Sequence, residues 1–409
     1  MAELRSFRAL RPRPDLASKV ASVPYDVVDT AEARALAAGN PYSFLHVVRP
    51  EIDLPPETDV HDDEVYAQAP RALARLLAEG SLVRDDERAL YLYRQIMGDH
   101  AQIGVVGCAS VDEYDRDLIK KHEKTRPDKE DDRTRHALTL SAHAGPVFLT
   151  YRGTPRIDAA VAAVTSTTAP LYDFVADDGV AHAVWKVPDS AELEEAFREV
   201  PALYVADGHH RAASASRARA ARRERAGGSS GEDEANFFLA ALFPGEQLEI
   251  LPYNRVVHDL GGATREEFLE RLGKVMKVTS GGAPSPDRKG AFSLFLGGEW
   301  YGLEAPREAL AADHPVDSLD AAILQELVLG PLLGIDDPRT STRVDFVGGI
   351  RGTGELERRV RERGDGLAFS LFPVSVDELL AVADAGLVLP PKSTWFEPKL
   401  RSGLLVHEF

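Results

Sequence analysis
The sequence predicts an α/β (α+β) protein whose sheet is mixed and contains several antiparallel hairpins. Three observations predict it. Short apolar runs of strand length alternate with stretches of helical character along most of the chain. Several neighbouring runs are separated by only a few turn-forming residues, which is the pattern of hairpins. Near the midpoint the run Ala202-Leu203-Tyr204-Val205 leads through Ala206-Asp207-Gly208 into an alanine-rich stretch, residues 212–221, that reads as helix. Alternation combined with antiparallel pairs favours a mixed sheet over a regular doubly wound one.

In order along the chain, Pro24 holds Val23 extended, and Asp29-Thr30 can cap a helix over residues 31–38. Residues 41–48 read as a strand and residues 64–79 as an amphipathic helix closed by Gly80. Residues 89–97 and 102–111 form a hairpin across Gly98-Asp99-His100-Ala101. Residues 120–135 alternate bases and acids densely, which is the usual texture of a solvated helix face. Residues 146–151 are a short strand, 157–164 a helix, and 171–174 with 181–187 a second hairpin. A helix over 191–200 leads into the central strand. Residues 226–234 are a polar Gly/Ser-rich loop, and 237–243 with 248–254 read as a third hairpin. From Gly261 the texture changes to helix (265–276), hairpin (292–296 with 300–303), helix (318–329) and later strands at 345–347 and 368–374. Two domains are therefore expected: 1–260, carrying the central turn, and 261–409, a C-terminal α/β portion whose last segment is free to return to the site.

Composition narrows the class. A chain of 409 residues is too long for one small core, and 44% hydrophobic with 28% charged residues is ordinary globular texture. A formal net charge of −18 argues against duplex nucleic acid as a partner, while leaving room for one local basic pocket. The single cysteine, Cys108, lies in an apolar run and reads as a core thiol, so no disulfide forms within the chain. Residues 1–13 lack the apolar core of a signal peptide, and no stretch approaches the roughly 18 apolar residues of a membrane span. A soluble, cytoplasmic protein with no membrane partner is expected; a homo-oligomer is compatible with this. Phosphate-loop, dinucleotide-binding, serine-hydrolase and zinc-protease motifs are absent from the sequence.

The central turn is the candidate site. Gly208 at a strand-to-helix junction permits a tight or left-handed backbone. Such a junction aims free backbone N–H groups and the positive end of the helix dipole at one point. His209, His210 and Arg211 add two imidazoles and a guanidinium there, a set suited to an anionic phosphate. Asp207 could hold a metal ion or orient a histidine, and it equally fits an ordinary cap. His122-Glu123-Lys124-Thr125 offers a base, a phosphate ligand and a hydroxyl. Asp26 sits on an extended segment between polar turns. In the proline-bounded stretch 390–403, Lys392, Lys399 and Arg401 flank Trp395 and Phe396. It reads either as a second basic contributor to the anion site or as an arm pinned by its aromatics.

Taken together, six stretches resemble domain-of-unknown-function family 1015 (DUF1015). They are Val23-Pro24-Tyr25-Asp26-Val27, His122-Glu123-Lys124-Thr125, Pro146-Val147-Phe148-Leu149, Ala206-Asp207-Gly208-His209-His210-Arg211, Leu251-Pro252-Tyr253-Asn254-Arg255 and Pro391-Lys392-Ser393-Thr394-Trp395-Phe396. The Asp-Gly-His-His-Arg turn is also similar to the phosphate-binding turn of the ParB/sulfiredoxin-like superfamily, which includes free-serine kinases using ADP or ATP. That resemblance implies a ParB/sulfiredoxin-like nucleotide-binding core. Gly208, His209, His210 and Arg211, joined by Lys392 and Lys399, would hold nucleotide phosphates. Glu123, Lys124, Asp26 and His209 would be catalytic, with Glu123 the preferred base and Asp26 the second. Asp207 would bind Mg²⁺, ATP or ADP would donate the phosphoryl group, and serine is the suspected small polar substrate. A nucleotide-sensing protein without transfer and a metal-dependent hydrolase remain the alternatives.

Overall fold
The computed structural model describes residues 2–228, 231–364 and 366–409; Ser229 and Ser230 of the expected Gly/Ser-rich loop lie outside the described residues. The chain divides into two compact units, Met1–Leu248 with Pro398–Phe409, and Glu249–Glu397.

The first unit is built on a nine-stranded mixed sheet. Its strands are β1 (Leu4–Arg5), β2 (Tyr91–Met97), β3 (His100–Ser110), β4 (Ile119–Lys120), β5 (Val147–Tyr151), β6 (Tyr172–Val175), β7 (Ala181–Lys186), β8 (Leu203–Asp207) and β9 (Phe237–Pro244). They run in the order β4-β8-β5-β9-β3-β2-β7-β6, with β1 also paired to β3. The β4–β8 and β5–β9 pairs are parallel and the others antiparallel. Every residue of β9 is buried, which is why its sequence is a continuous apolar run rather than an alternating one. Leu149, Leu203, Val205, Phe197, Phe238 and Leu242 belong to the core between this sheet and its helices.

Three helices matter for the site: α1 (Asp63–Ala78), α2 (Pro127–Leu140) and α3 (His209–Ala226). Pro127 at the first turn of α2 needs no N–H there, and Gly227 closes α3 in the left-handed region. A separate four-stranded sheet places Leu82–Arg84, Ala9–Pro12, Val406–Glu408 and Ala142–His143 side by side. It brings the segment 398–409 into the first unit. No described helix is long and apolar enough to cross a membrane.

The second unit carries an antiparallel sheet of six strands, in the order Lys277–Ser280, Glu299–Glu304, Ala291–Leu296, Leu367–Leu371, Tyr253–Val257 and Val344–Gly348. The expected division at 260/261 can be set beside this one: Tyr253–Val257 already pairs inside the second sheet, so the units part after Leu248.

The hairpins at 91–110, 172–186 and 291–304 form as expected. The third expected hairpin does not. Phe237–Pro244 is taken up between β3 and β5, and Glu249–Leu251 pairs instead with Trp395–Glu397. Residues 41–48 are not a strand either; they turn into a short helix, Leu45–Val48, whose Leu45, Val47 and Val48 join the core against α1. Arg219 of α3 is buried and pairs with Asp112 and Asp115. Cys108 is a buried free thiol.

Candidate phosphate-binding turn
Strand β8 ends at Asp207, Gly208 turns the chain at φ 95° and ψ 31°, and α3 starts at His209. Two constraints select glycine. The left-handed backbone strains any L side chain, and a Cβ would sit 2.9 Å from Arg211 Nε. The guanidinium therefore lies across the turn. Its Nη1 donates to the Pro146 carbonyl, its Nη2 is 3.9 Å from Asp207 Oδ1, and its Nε is buried with no hydrogen-bond partner among the described residues. The N–H groups of the first turn of α3 have no acceptor within the helix.

The adjacent histidines diverge, as successive residues on a helix must. His209 turns inward and is almost fully buried. Its ring meets that of His122 edge-on at 4.5 Å, and its Nδ1 lies 3.7 Å from Glu123 Oε2. His209 Nε2 and both ring nitrogens of His122 are buried without hydrogen-bond partners among the described residues. Burial pushes the His122 pKa down to about 4 against the pull of Asp207. Burial, then the neighbouring His122, pushes His209 well below the ordinary histidine value. Both rings are neutral at pH 7. His210 turns outward and accepts the Arg126 backbone N–H at Nε2 (3.1 Å), clasping the start of α2.

Asp207 receives the Lys399 ammonium at 3.0 Å. Burial would raise its pKa, but Lys399 and Arg211 outweigh burial and hold the carboxyl well below the usual carboxylate range. This geometry does not fit a resident Mg²⁺ ion, which would have to displace an ammonium beside a guanidinium. Among the described residues no group of three or more His, Cys, Asp or Glu side chains could hold a metal. A divalent cation that travels with nucleotide phosphates needs no such cage.

Of the residues expected at the site, the structure gathers Asp207, Gly208, His209, Arg211, Glu123 and Lys399, with His210 behind the turn. Lys124 is exposed on the same loop as Glu123. Asp26 is exposed; its neighbours Pro24 and Tyr25 are the residues of that motif that reach the site, lining a cavity of about 60 Å³ with Arg211, Arg133, His136, His143 and Ser402. Lys392 belongs to the second unit, where its ammonium lies 5.6 Å over the Tyr253 ring and its carbonyl accepts from Arg255. Sequence reasoning missed Tyr25, His136, His143 and the partnering of His122 with His209. Motif membership of Tyr25 and His122 was the only available signal.

Among solved structures the chain is similar to SbnI with C-terminal truncation from Staphylococcus aureus (TM-score 0.40, 13% identity, covering 74% of this chain and 87% of that one). It is also similar to a free serine kinase in complex with AMP (TM-score 0.33, 13% identity, 74% and 91%). A mutant free serine kinase in complex with ADP gives TM-score 0.35 at 13% identity, covering 74% and 92%. At such scores these likenesses carry no functional inference. No curated protein matches the sequence. The profile described as "Protein of unknown function (DUF1015)" matches residues 4–322, well over half of the chain, and the protein belongs to that family.

Proposed function
We propose that the first unit is a nucleotide-dependent phosphotransferase that acts on the hydroxyl of a small molecule. One observation carries this reading. Arg211 Nε–H is a donor only, it is buried, and it has no acceptor among the described residues, beside a helix start whose first N–H groups have no acceptor within the helix. An anion is the acceptor that satisfies both. Phosphoryl transfer asks mainly for positioning and charge neutralisation, which a rigid cationic turn supplies.

In this reading Gly208 lets the phosphates approach the backbone, while Arg211 and the start of α3 bind them. The neutral imidazoles of His209 and His122 each have an N–H to give without adding charge. Lys124, exposed on the neighbouring loop, offsets charge on the transferring group. Glu123 is the candidate base on the exposed side of the turn, and Asp26 the second. Lys399 keeps Asp207 ionised, so the turn holds one fixed negative charge against its cations. ATP or ADP is the donor.

The test is direct. Purified protein is incubated with Mg²⁺, ATP or ADP, and serine or other small alcohols, and products are read by mass spectrometry. Serine is tried first because the family resemblance suggests it. A phosphorylated alcohol is the expected product. Tight nucleotide binding with no product from any alcohol would replace transfer by a regulatory, sensing role.

A further inference from the structure
Away from the turn, the small sheet builds a second polar chain. Strand pairing sets His143 directly opposite His407, and the two Nδ1 atoms are 3.3 Å apart with the rings stacked. His407, 1% exposed, meets Glu234 through Nε2 at 2.9 Å, and Glu234 is also paired with Arg88. Burial would raise the Glu234 carboxyl, but His407 and Arg88 outweigh it and bring it to about 2, so it is an acceptor only. For a neutral His407 the tautomers follow by elimination. His407 must carry its hydrogen on Nε2 to donate to Glu234, which leaves Nδ1 as a lone pair. His143 must then donate from Nδ1, which leaves its Nε2 as a lone pair. That Nε2 is buried with no partner among the described residues, and His143 is part of the wall of the 60 Å³ cavity that Arg211 also lines.

We propose that Glu234, His407 and His143 form a relay whose free end, His143 Nε2, binds and deprotonates the hydroxyl of the phosphoryl acceptor. The proposal rests on the phosphotransferase reading and names a buried base in place of the exposed Glu123. A cavity of this size admits the hydroxyl end of a small alcohol, as a few water-sized volumes suffice for it, and excludes a nucleotide. In the transfer step the alcohol O–H hydrogen passes to His143 Nε2 while its oxygen bonds to phosphorus. The bond from that phosphorus to the bridging oxygen of the nucleotide breaks, and its electron pair leaves with the shortened nucleotide. The imidazolium so formed is stabilised through His407 by Glu234. His143 is the catalytic residue; His407 and Glu234 position it.

Two measurements on the full-length protein test this. Long-range ¹H–¹⁵N correlation at pH 7.5, assigned with His143→Gln, should show His143 as the less common Nδ1–H tautomer, and His407→Phe should convert it to Nε2–H. An Nε2–H tautomer of His143 in the unmodified protein would overturn the relay. In turnover, His143→Gln should lower the transfer rate about 100-fold while nucleotide affinity changes less than about twofold. Transfer by His143→Gln within threefold of the unmodified protein, with Glu123→Gln inactive, would overturn the base assignment alone. A protein that binds no nucleotide would remove the phosphotransferase reading and the base with it, whatever the tautomer.

Discussion

Arg211 in the first unit and Arg255 in the second are both inward-facing arginines, Arg211 with the Asp207 carboxylate 3.9 Å away, and they are treated in opposite ways. Arg255 is spent on structure. It donates to the carbonyls of Tyr253, Lys392 and Pro391 and stacks over Phe346 at 5.0 Å. Burial lowers its pKa to about 10, so it stays charged at pH 7. Arg211 gives one bond to Pro146 and leaves Nε unpartnered above a left-handed glycine. A buried cation whose donors are satisfied locks two chain segments together; one with a donor left over is available to a ligand.

The contrast can be broken by substitution. Arg255→Met removes a donor from three carbonyls at once, and a cost of about 3 kcal/mol or more is expected from groups left unsatisfied in a buried setting. Urea unfolding checks this, and nucleotide affinity should be unchanged. A loss under about 1 kcal/mol would mean the carbonyls find other partners, and the two arginines would no longer differ in kind.

Acidity sharpens the same comparison. The first unit buries His122 and His136 with pKa values near 4 and His182 near 3, each depressed first by burial. Their folded values lie below the unfolded value near 6.5, so their contribution is present above pH 6.5 and is lost as pH falls towards 4. For His122 alone the full loss is roughly 3 kcal/mol. The second unit has the opposite case. Asp320 is buried, Oδ1 accepts from Gly290 N at 2.9 Å, Oδ2 has no partner, and burial raises its pKa to about 7. Its folded value lies above the unfolded one, so its contribution is present below pH 3.8 and is lost as pH rises through 7. Peptide-resolved hydrogen exchange between pH 5 and 8, corrected for intrinsic rates, should show protection of the first unit falling on acidification. Protection around Asp320 should rise, and Asp320→Asn should flatten that second trend. Parallel trends in both units would contradict the assignment.

Much of this was legible in the sequence where local chemistry decides. The turn at Gly208 was readable because apolar strand, glycine and alanine-rich helix are contiguous, and α3 follows from alanine content. The hairpin at 91–110 was readable because its turn is short. What failed depends on partners far away in the chain. Phe237–Pro244 looks like half of a hairpin, but a run buried on both faces says nothing about which strands flank it. Lys392 and Lys399 sit seven residues apart in one motif-like stretch, yet they fall in different units, because the chain passes between units after Glu397. The pairing of His143 with His407 spans 264 positions and leaves no local trace.

The central claim is that the turn at Gly208 binds phosphate groups through Arg211. Calorimetric titration of ATP and ADP, with Mg²⁺, into the unmodified protein and into Arg211→Ala tests it most directly. The expected result is saturable binding that weakens at least 10-fold in Arg211→Ala, matching a lost charge-assisted hydrogen bond of about 1.5–3 kcal/mol, with the circular-dichroism spectrum unchanged. Equal affinity in the two proteins, or no binding to either, would contradict it.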